Sequence, residues 1–462
     1  MVNRLNRRSV VARILLLICG SLLIPLAGAN KTAYKVTANA DLKHFTVEIC
    51  TLSHTRLVST QPDANRWLRE HSKAIRTSGM DTLEITAPGC HWLVTAPPIT
   101  NYKLSPSQPP IASVLSGYLL WRSEHSDQPP LSFTIQPQSK AANSKVSLPL
   151  KQLDDIHYQW PPYRSFMSLP ILFGQFDTTV VKTAKADLQL VFAFSSEQTQ
   201  RNQISAAIRS IAATLDPLYG QPQSARLIIT RSLQRHDSAL PQAMVFRGEG
   251  TSISMQLSRD AAAEDILQDW TLYHEFSHLL LPFIERQDAW LSEGFASYLQ
   301  YPAMYLNAQS TAYETIENLC NGFLRGYKDQ PSERNTLADL SKDLRQNRHY
   351  KRVYWSGAAF WLMVDLELRQ QETGLPQLIQ QFNQCCRNHR AVWRGEQLTF
   401  ALDQLIKHPF IAKRFREYQQ LQQFEWPTAL FPLAAKTDAH CDRSISLTEQ
   451  EIEHFLKFFG SQ

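Results

Sequence analysis

The sequence predicts an α+β multidomain protein: an N-terminal β-sandwich, a mixed α/β plus helical middle domain, and C-terminal helices. Three observations predict it. Short apolar-alternating runs split by Pro, Ser, Asn and Gly fill residues 33–149, as in a sandwich of short strands. A strand–helix–strand pattern follows over 150–257, and from Asp260 to Phe459 the periodicity is almost wholly helical. Taken with the chain length, this places a β-sandwich domain at 30–150, the mixed domain at 151–380 and a helical region at 381–462.

Residues 1–29 have the composition of a signal peptide. Arg4, Arg7, Arg8 and Arg13 form a basic start, Ile14 to Leu26 an apolar run, and Ala27-Gly28-Ala29 a small-residue cleavage site. The apolar run is too short for a comfortable membrane span, so cleavage after Ala29 and no stable membrane span thereafter are expected. Arg7-Arg8 leaves a twin-arginine signal as the alternative to the general secretory one. The expected location is periplasmic or secreted. Beyond Cys19, six cysteines remain, an even number that suits disulfides in an exported chain. Cys50 and Cys90 lie in the same β region, while Cys320 and Cys441, with Cys385, Cys386 or both, fit a staple of the helical part.

Within the β region, Phe45–Ile49, Thr82–Ile85 and His91–Val94 alternate as half-buried strands do. In the middle domain, Asp187–Phe194 and Ala225–Thr230 are predicted strands with a helix over Glu197–Leu218 between them. Thr251–Leu257 is expected as an edge strand able to pair with an extended peptide. A helix is predicted over 258–281, with Ser258 or Asp260 as N-cap and Pro282 as its stop, and a second from Asp288 through Tyr305. The net charge of +5 is modest and no basic patch interleaved with aromatics occurs, which argues against a nucleic-acid partner.

The first of these helices carries His274-Glu275-Phe276-Ser277-His278. Positions i and i+4 share a helix face, so both imidazoles can reach one metal ion. Glu275 lies about 100° round the helix from His274, bordering the metal without ligating it, where a general base must stand. Glu293, on the second helix, completes a two-His, one-carboxylate set with a fourth position open, the arrangement of a catalytic zinc. One Zn2+ per chain is therefore expected, held by His274, His278 and Glu293. A zinc ion there polarises a carbonyl and lowers the pKa of water, with Glu275 as the base. A helix whose polar face happens to carry two histidines is the bland alternative for the pentapeptide alone.

His-Glu-x-x-His followed by Trp290-Leu291-Ser292-Glu293-Gly294-Phe295-Ala296-Ser297-Tyr298 resembles the zinc signature of the gluzincin metallopeptidases, whose catalytic domain is thermolysin-like. The wording is similar to the aminopeptidase N family (W-L-N-E-G-F-A-S-Y) and to the glycyl aminopeptidases (W-x-S-E-G-F-x-S-Y-Y). The block Tyr350-Lys351-Arg352-Val353-Tyr354-Trp355-Ser356-Gly357-Ala358-Ala359 resembles the Y-x-K-G-A segment in which those families keep a transition-state tyrosine. The resemblance implies that role for Tyr354 when Gly357 aligns with the family glycine, Tyr350 being the alternative. Two departures stand out. His278 and Glu293 are closer in sequence than in the aminopeptidase N pattern, and the G-A-M-E-N exopeptidase motif is absent. Ala243 to Met255 take its place; within them Glu249 is the candidate to capture a substrate amino group, or else an exposed turn residue between Gly248 and Gly250.

The resemblance thus implies a zinc peptidase acting on peptides or proteins, with aminopeptidase-like cleavage as one form, and the N-terminal segment adds the expectation of export. The alternative is a catalytically inactive gluzincin-like binding or assembly factor. The sequence leaves oligomeric state open.

Overall fold

The structure is a computed structural model that describes residues 33–40, 42–101, 111–123, 130–135, 145–154, 156–159, 168–221, 223–247, 250–331, 334–389, 392–431, 441 and 447–460. The expected signal peptide and Glu249 lie outside the described residues. Among the described residues no helix is long and apolar enough to cross a membrane.

Alternation dictates the N-terminal part. In Phe45–Thr51 every second residue is buried, since successive side chains of a strand point to opposite faces. This strand pairs antiparallel with Ala33–Ala38 on one side and Gly89–Thr95 on the other, inside a seven-stranded sheet. Two four-stranded sheets close over it, and Val36, Phe45, Val47, Leu57, Leu83, Val114, Trp121 and Phe173 share one core. Cys50 faces Cys90 across the ladder and the two form a disulfide. The β part does not stop at residue 150. His157–Gln159 joins the seven-stranded sheet and Pro170–Gly174 pairs with Ile111–Leu115, so the chain leaves this core only after Gly174.

A five-stranded sheet follows, in the order Asp177–Lys182, Ala186–Phe192, Gln223–Arg231, Ser252–Leu257, Gln242–Phe246. Ala186–Phe192 and Gln223–Arg231 are parallel and joined through helix α1 (Gln198–Thr214), whose Ile204, Ala207, Ile208 and Ile211 lie in the core shared with the sheet. The middle strand is buried on both faces from residue 225 to 230 and apolar over Leu227, Ile228 and Ile229, as suits a parallel strand covered on both sides. Leu227 and Ile229 join the helical core, while Ile228 packs with Ile111, Leu172 and Phe176 at the junction with the β part. The edge strand differs from expectation. Ser252–Leu257 is internal, because Gln242–Phe246 folds back and pairs along its outer side. The polar loop from Ser232 to Leu240, with its Ser and Asp turn residues, supplies the room for that return.

The remainder is helical: α2 (Ala263–Gln268), α3 (Trp270–Ser277), α4 (Ala289–Leu306), α5 (Ala312–Lys328), α6 (Leu337–Lys342), α7 (Leu344–Asn347), α8 (Tyr350–Arg369), α9 (Leu375–Cys385), α10 (Gly395–Ile406), α11 (Phe410–Gln419) and α12 (Glu449–Gly460). The single helix expected over 258–281 is two. Asp269 breaks it by adopting extended backbone and capping α3: its carboxylate accepts from the Thr271 N–H at 2.9 Å and from the Leu240 N–H at 3.0 Å. An N-cap aspartate satisfies a donor that the helix start leaves open. Nor do Ser258 and Asp260 cap α2. Ser258 accepts from the His236 N–H at 2.9 Å, Asp260 pairs with Arg235, and the N-cap position is Ala262. The second predicted helix is α4, entered through Asp288.

Cys320 of α5 pairs with Cys441, ahead of α12. Cys385 and Cys386 bond to each other rather than to these, so the expected staple is a single bridge.

Candidate metal and catalytic site

Helix α3 presents His274 and His278 on one face, and α4 folds back so that Glu293 meets them. The Glu293 Oε2 lies 3.4 Å from His274 Nε2 and 3.5 Å from His278 Nε2. All three ligand atoms fall within 4.8 Å of one another. Tetrahedral zinc with bonds of about 2.0–2.2 Å sets its ligand atoms about 3.3–3.6 Å apart, so these separations fit the edges of such a site. The two imidazoles are nearly perpendicular, at 87° with centroids 4.9 Å apart, as rings aiming at one point from one helix face.

The surroundings orient each ligand. His274 Nδ1 donates to the Gln300 Oε1 at 2.9 Å, and His278 Nδ1 lies 3.0 Å from the Ser292 Oγ. A carbonyl oxygen only accepts, so His274 carries a proton on Nδ1, and Nε2 is the nitrogen a neutral ring offers to a metal. Burial works to raise the Glu293 carboxyl, but the imidazoles of His278 and His274 outweigh it and hold it well below the usual range. A charged carboxylate between two imidazoles is a donor set made for a divalent cation.

Glu275 is buried on the neighbouring face of α3. Burial pushes its carboxyl up, and His278, His274 and a hydrogen bond from the Val245 N–H only partly offset this. Val245 belongs to the Gln242–Phe246 edge strand, so the strand beside the cleft also fixes the prospective base.

Tyr354, in the second turn of α8, hydrogen-bonds Glu293, and its ring stacks on His274 at 6.0 Å. Burial and the Glu293 charge push its phenol far above the usual range, which keeps it a hydrogen-bond donor. Tyr350, the alternative, is 41% exposed one turn outward. What brings Tyr354 in is a glycine contact. A Cβ on Gly294 would sit 2.2 Å from the Gly357 carbonyl carbon, and one on Gly357 would sit 2.0 Å from the Trp290 oxygen. Any side chain at either position would force α4 and α8 apart.

The sequence left several supporting residues unnamed. Gln300 stands seven residues after Glu293, two turns along the same face of α4, a spacing that could have singled it out. Tyr219 and two arginines could not be found this way, because they arrive from separate segments. Tyr219 donates to the Phe276 carbonyl at 3.4 Å, Arg247 to that of Leu281 at 2.9 Å, and Arg387 to that of Leu279. These carbonyls lie at the C-terminal end of α3 and in the short turn that follows it. Burial pushes Arg247 down to about 9, and its charge is felt by Glu293 and Glu275. Tyr298 of the Glu293 block is structural: it donates to the buried Asp365 of α8 at 2.6 Å.

Solved structures share this architecture. The crystal structure of an aminopeptidase N family protein from Idiomarina loihiensis superposes with a TM-score of 0.64 at 13% identity, covering 86% of this chain and 77% of that one. A mutant M1 zinc metallopeptidase from Deinococcus radiodurans, bound to a Tyr-Ser-Ala substrate, gives 0.52 at 13% identity, covering 86% and 95%. At that identity the likeness is one of fold. No protein-family model and no curated protein matches the sequence.

Proposed function

We propose that this protein is an exported zinc-dependent peptidase that hydrolyses peptide bonds with Glu275 as general base. The observation that carries it is the convergence of His274, His278 and Glu293, with the carboxylate 3.4 and 3.5 Å from the two imidazoles, beside a buried glutamate. Its support is a fold shared with aminopeptidase N and M1 metallopeptidase structures.

When bound, zinc supplies Lewis acidity toward a carbonyl oxygen and lowers the pKa of a water molecule. Glu275 removes a proton from water at the cleft and delivers it to the leaving amine. The Val245 N–H steadies the carboxylate for this shuttle. Tyr354 donates its phenolic hydrogen to the oxyanion that develops on the scissile carbonyl. An extended substrate main chain pairs along Gln242–Phe246, the last strand of its sheet, which reaches Glu275 through Val245. Aminopeptidase-type cleavage is the finer form of this reading and rests on Glu249 as the amine partner. Export accords with the three disulfides, which persist in oxidising compartments.

The test is Glu275→Gln in the full chain, assayed on a peptide library with zinc content measured in parallel. Hydrolysis is expected to fall about 100-fold or more while one zinc per chain is retained. Undiminished hydrolysis by the Gln variant would remove Glu275 from the mechanism. A wild-type chain that binds zinc yet cleaves no peptide would favour the inactive binding factor.

A further inference from the structure

Cys385 and Cys386, neighbours in sequence, are bonded to each other where α9 ends. The stabilisation that a disulfide gives a folded chain grows with the loop it closes. A bridge between adjacent residues closes almost none, so this pair does little as a staple. Cys320–Cys441 is the contrast, since it spans 121 residues and is buried at both cysteines. Exposure separates the two bridges as well. Cys385 is exposed and Cys386 half-buried, which leaves the bond open to a reductant in solution.

The surroundings tie this bond to the metal site. The Cys386 N–H ends α9 by donating to the Phe382 carbonyl at 2.9 Å, and the next residue is Arg387. Arg387 donates to the carbonyl of Leu279, one residue past His278. The Arg387 carbonyl accepts from the Trp393 indole N–H at 3.2 Å. Trp393 in turn donates its backbone N–H to the Phe283 carbonyl and accepts from that of Glu285, both at 2.8 Å. Arg387 and Trp393 thus clasp the stretch from Leu279 to Glu285, which joins His278 to α4 and so to Glu293. The small ring that a vicinal disulfide makes with its own backbone restricts the chain one residue before that clasp.

We infer that Cys385–Cys386 is a thiol–disulfide exchange site, opened by a dithiol reductant, whose opening loosens the Arg387 clasp on the turn after His278. This rests on the metal-site reading and adds its regulation. In the exchange, a thiolate of the reductant attacks the exposed Cys385 Sγ, the bond between the cysteines breaks, and Cys386 leaves as a thiolate that takes up a proton. The second thiolate of the reductant then attacks its own sulfur in the mixed disulfide and releases Cys385, which is protonated in turn. The reductant ends as a disulfide, and the pair gains two electrons and two protons.

The experiment titrates the full chain with dithiothreitol and maps thiols by alkylation and mass spectrometry. Cys385 and Cys386 are expected to be labelled while Cys320 and Cys441 stay bonded. Amide hydrogen exchange over 279–285 in the zinc-free chain should then rise. Zinc affinity, by chelator competition, should fall about 2–30-fold, the range over which coupled outer positions commonly act. Cys385→Ser combined with Cys386→Ser should show both changes without reductant and no further response to it, which separates this pair from Cys50–Cys90. Arg387→Ala should show them with the pair still bonded. A serine variant with wild-type exchange and zinc affinity overturns the inference, as does a pair that resists dithiothreitol for as long as Cys320–Cys441, or an Arg387→Ala variant in which neither quantity moves. Should no form of the chain bind zinc, the metal reading fails separately, and exchange over 279–285 decides whether the pair acts on the turn. Faster exchange in the serine variant supports that action, and unchanged exchange refutes it.

Discussion

A histidine that ligates a metal must offer a bare nitrogen, and the Gln300 carbonyl decides which nitrogen of His274 that is. Outer partners of this kind, when removed, commonly weaken metal binding about 10–100-fold. Gln300→Ala is therefore expected to lower zinc affinity by that factor, measured by chelator competition, while leaving thermal unfolding of the zinc-free protein nearly unchanged. Unaltered affinity would mean that the Nδ1 contact does not orient the ring. At this scale the sequence was informative wherever chemistry needs a fixed spacing: His274, Glu275 and His278 follow from one helical turn, and Glu293 from the block after it. It was silent where contacts come from distant segments. Nothing near Tyr219, Arg247 or Arg387 announces that their side chains meet carbonyls of the His278 turn, because that meeting is made only by tertiary folding.

Between elements, the decisive contact is the crossing of α4 and α8 at Gly294 and Gly357. It sets Glu293 and Tyr354, each within one turn of the crossing, against each other. Gly357→Ala should force the helices to part, costing on the order of 1–3 kcal/mol in urea unfolding and weakening zinc binding through displacement of Glu293. If both stability and zinc affinity stay at wild-type values, the close approach is not what assembles the site. Element boundaries show why spacing alone misleads. The periodicity over 258–281 reads as one helix, yet Asp269 interrupts it by capping α3 and accepting from the Leu240 N–H of a loop remote in sequence. The edge strand was misplaced for the same reason. Alternation marks Ser252–Leu257 as a strand, but only the return of Gln242–Phe246 decides which of the two is outermost.

For the whole molecule, the β part and the mixed sheet meet at a small apolar junction around Ile111, Phe176 and Ile228, reinforced by Arg226, which donates to Ser147 at 2.7 Å. The fold class was legible because period-two and helical patterns occupy separate stretches of the chain. The end of the β part was not, since Pro170–Gly174 pairs backward with Ile111–Leu115 and no local signal marks that. The helical half is closed on itself by Cys320–Cys441, which spans 121 residues. A bridge over so long a loop restricts the unfolded chain strongly. Replacing both cysteines with serine is expected to cost about 2–5 kcal/mol in denaturant unfolding, with the zinc site retained in the folded fraction. Unchanged stability would indicate that the bridge does not form in the native protein.

The central claim is that three side chains of α3 and α4 hold one metal ion. Metal content of the purified full chain, by mass spectrometry, tests it most directly. One zinc per chain is expected, lost in both His278→Ala and Glu293→Ala while the circular dichroism of the fold persists. A wild-type chain without zinc, or variants that keep it undiminished, would contradict the account.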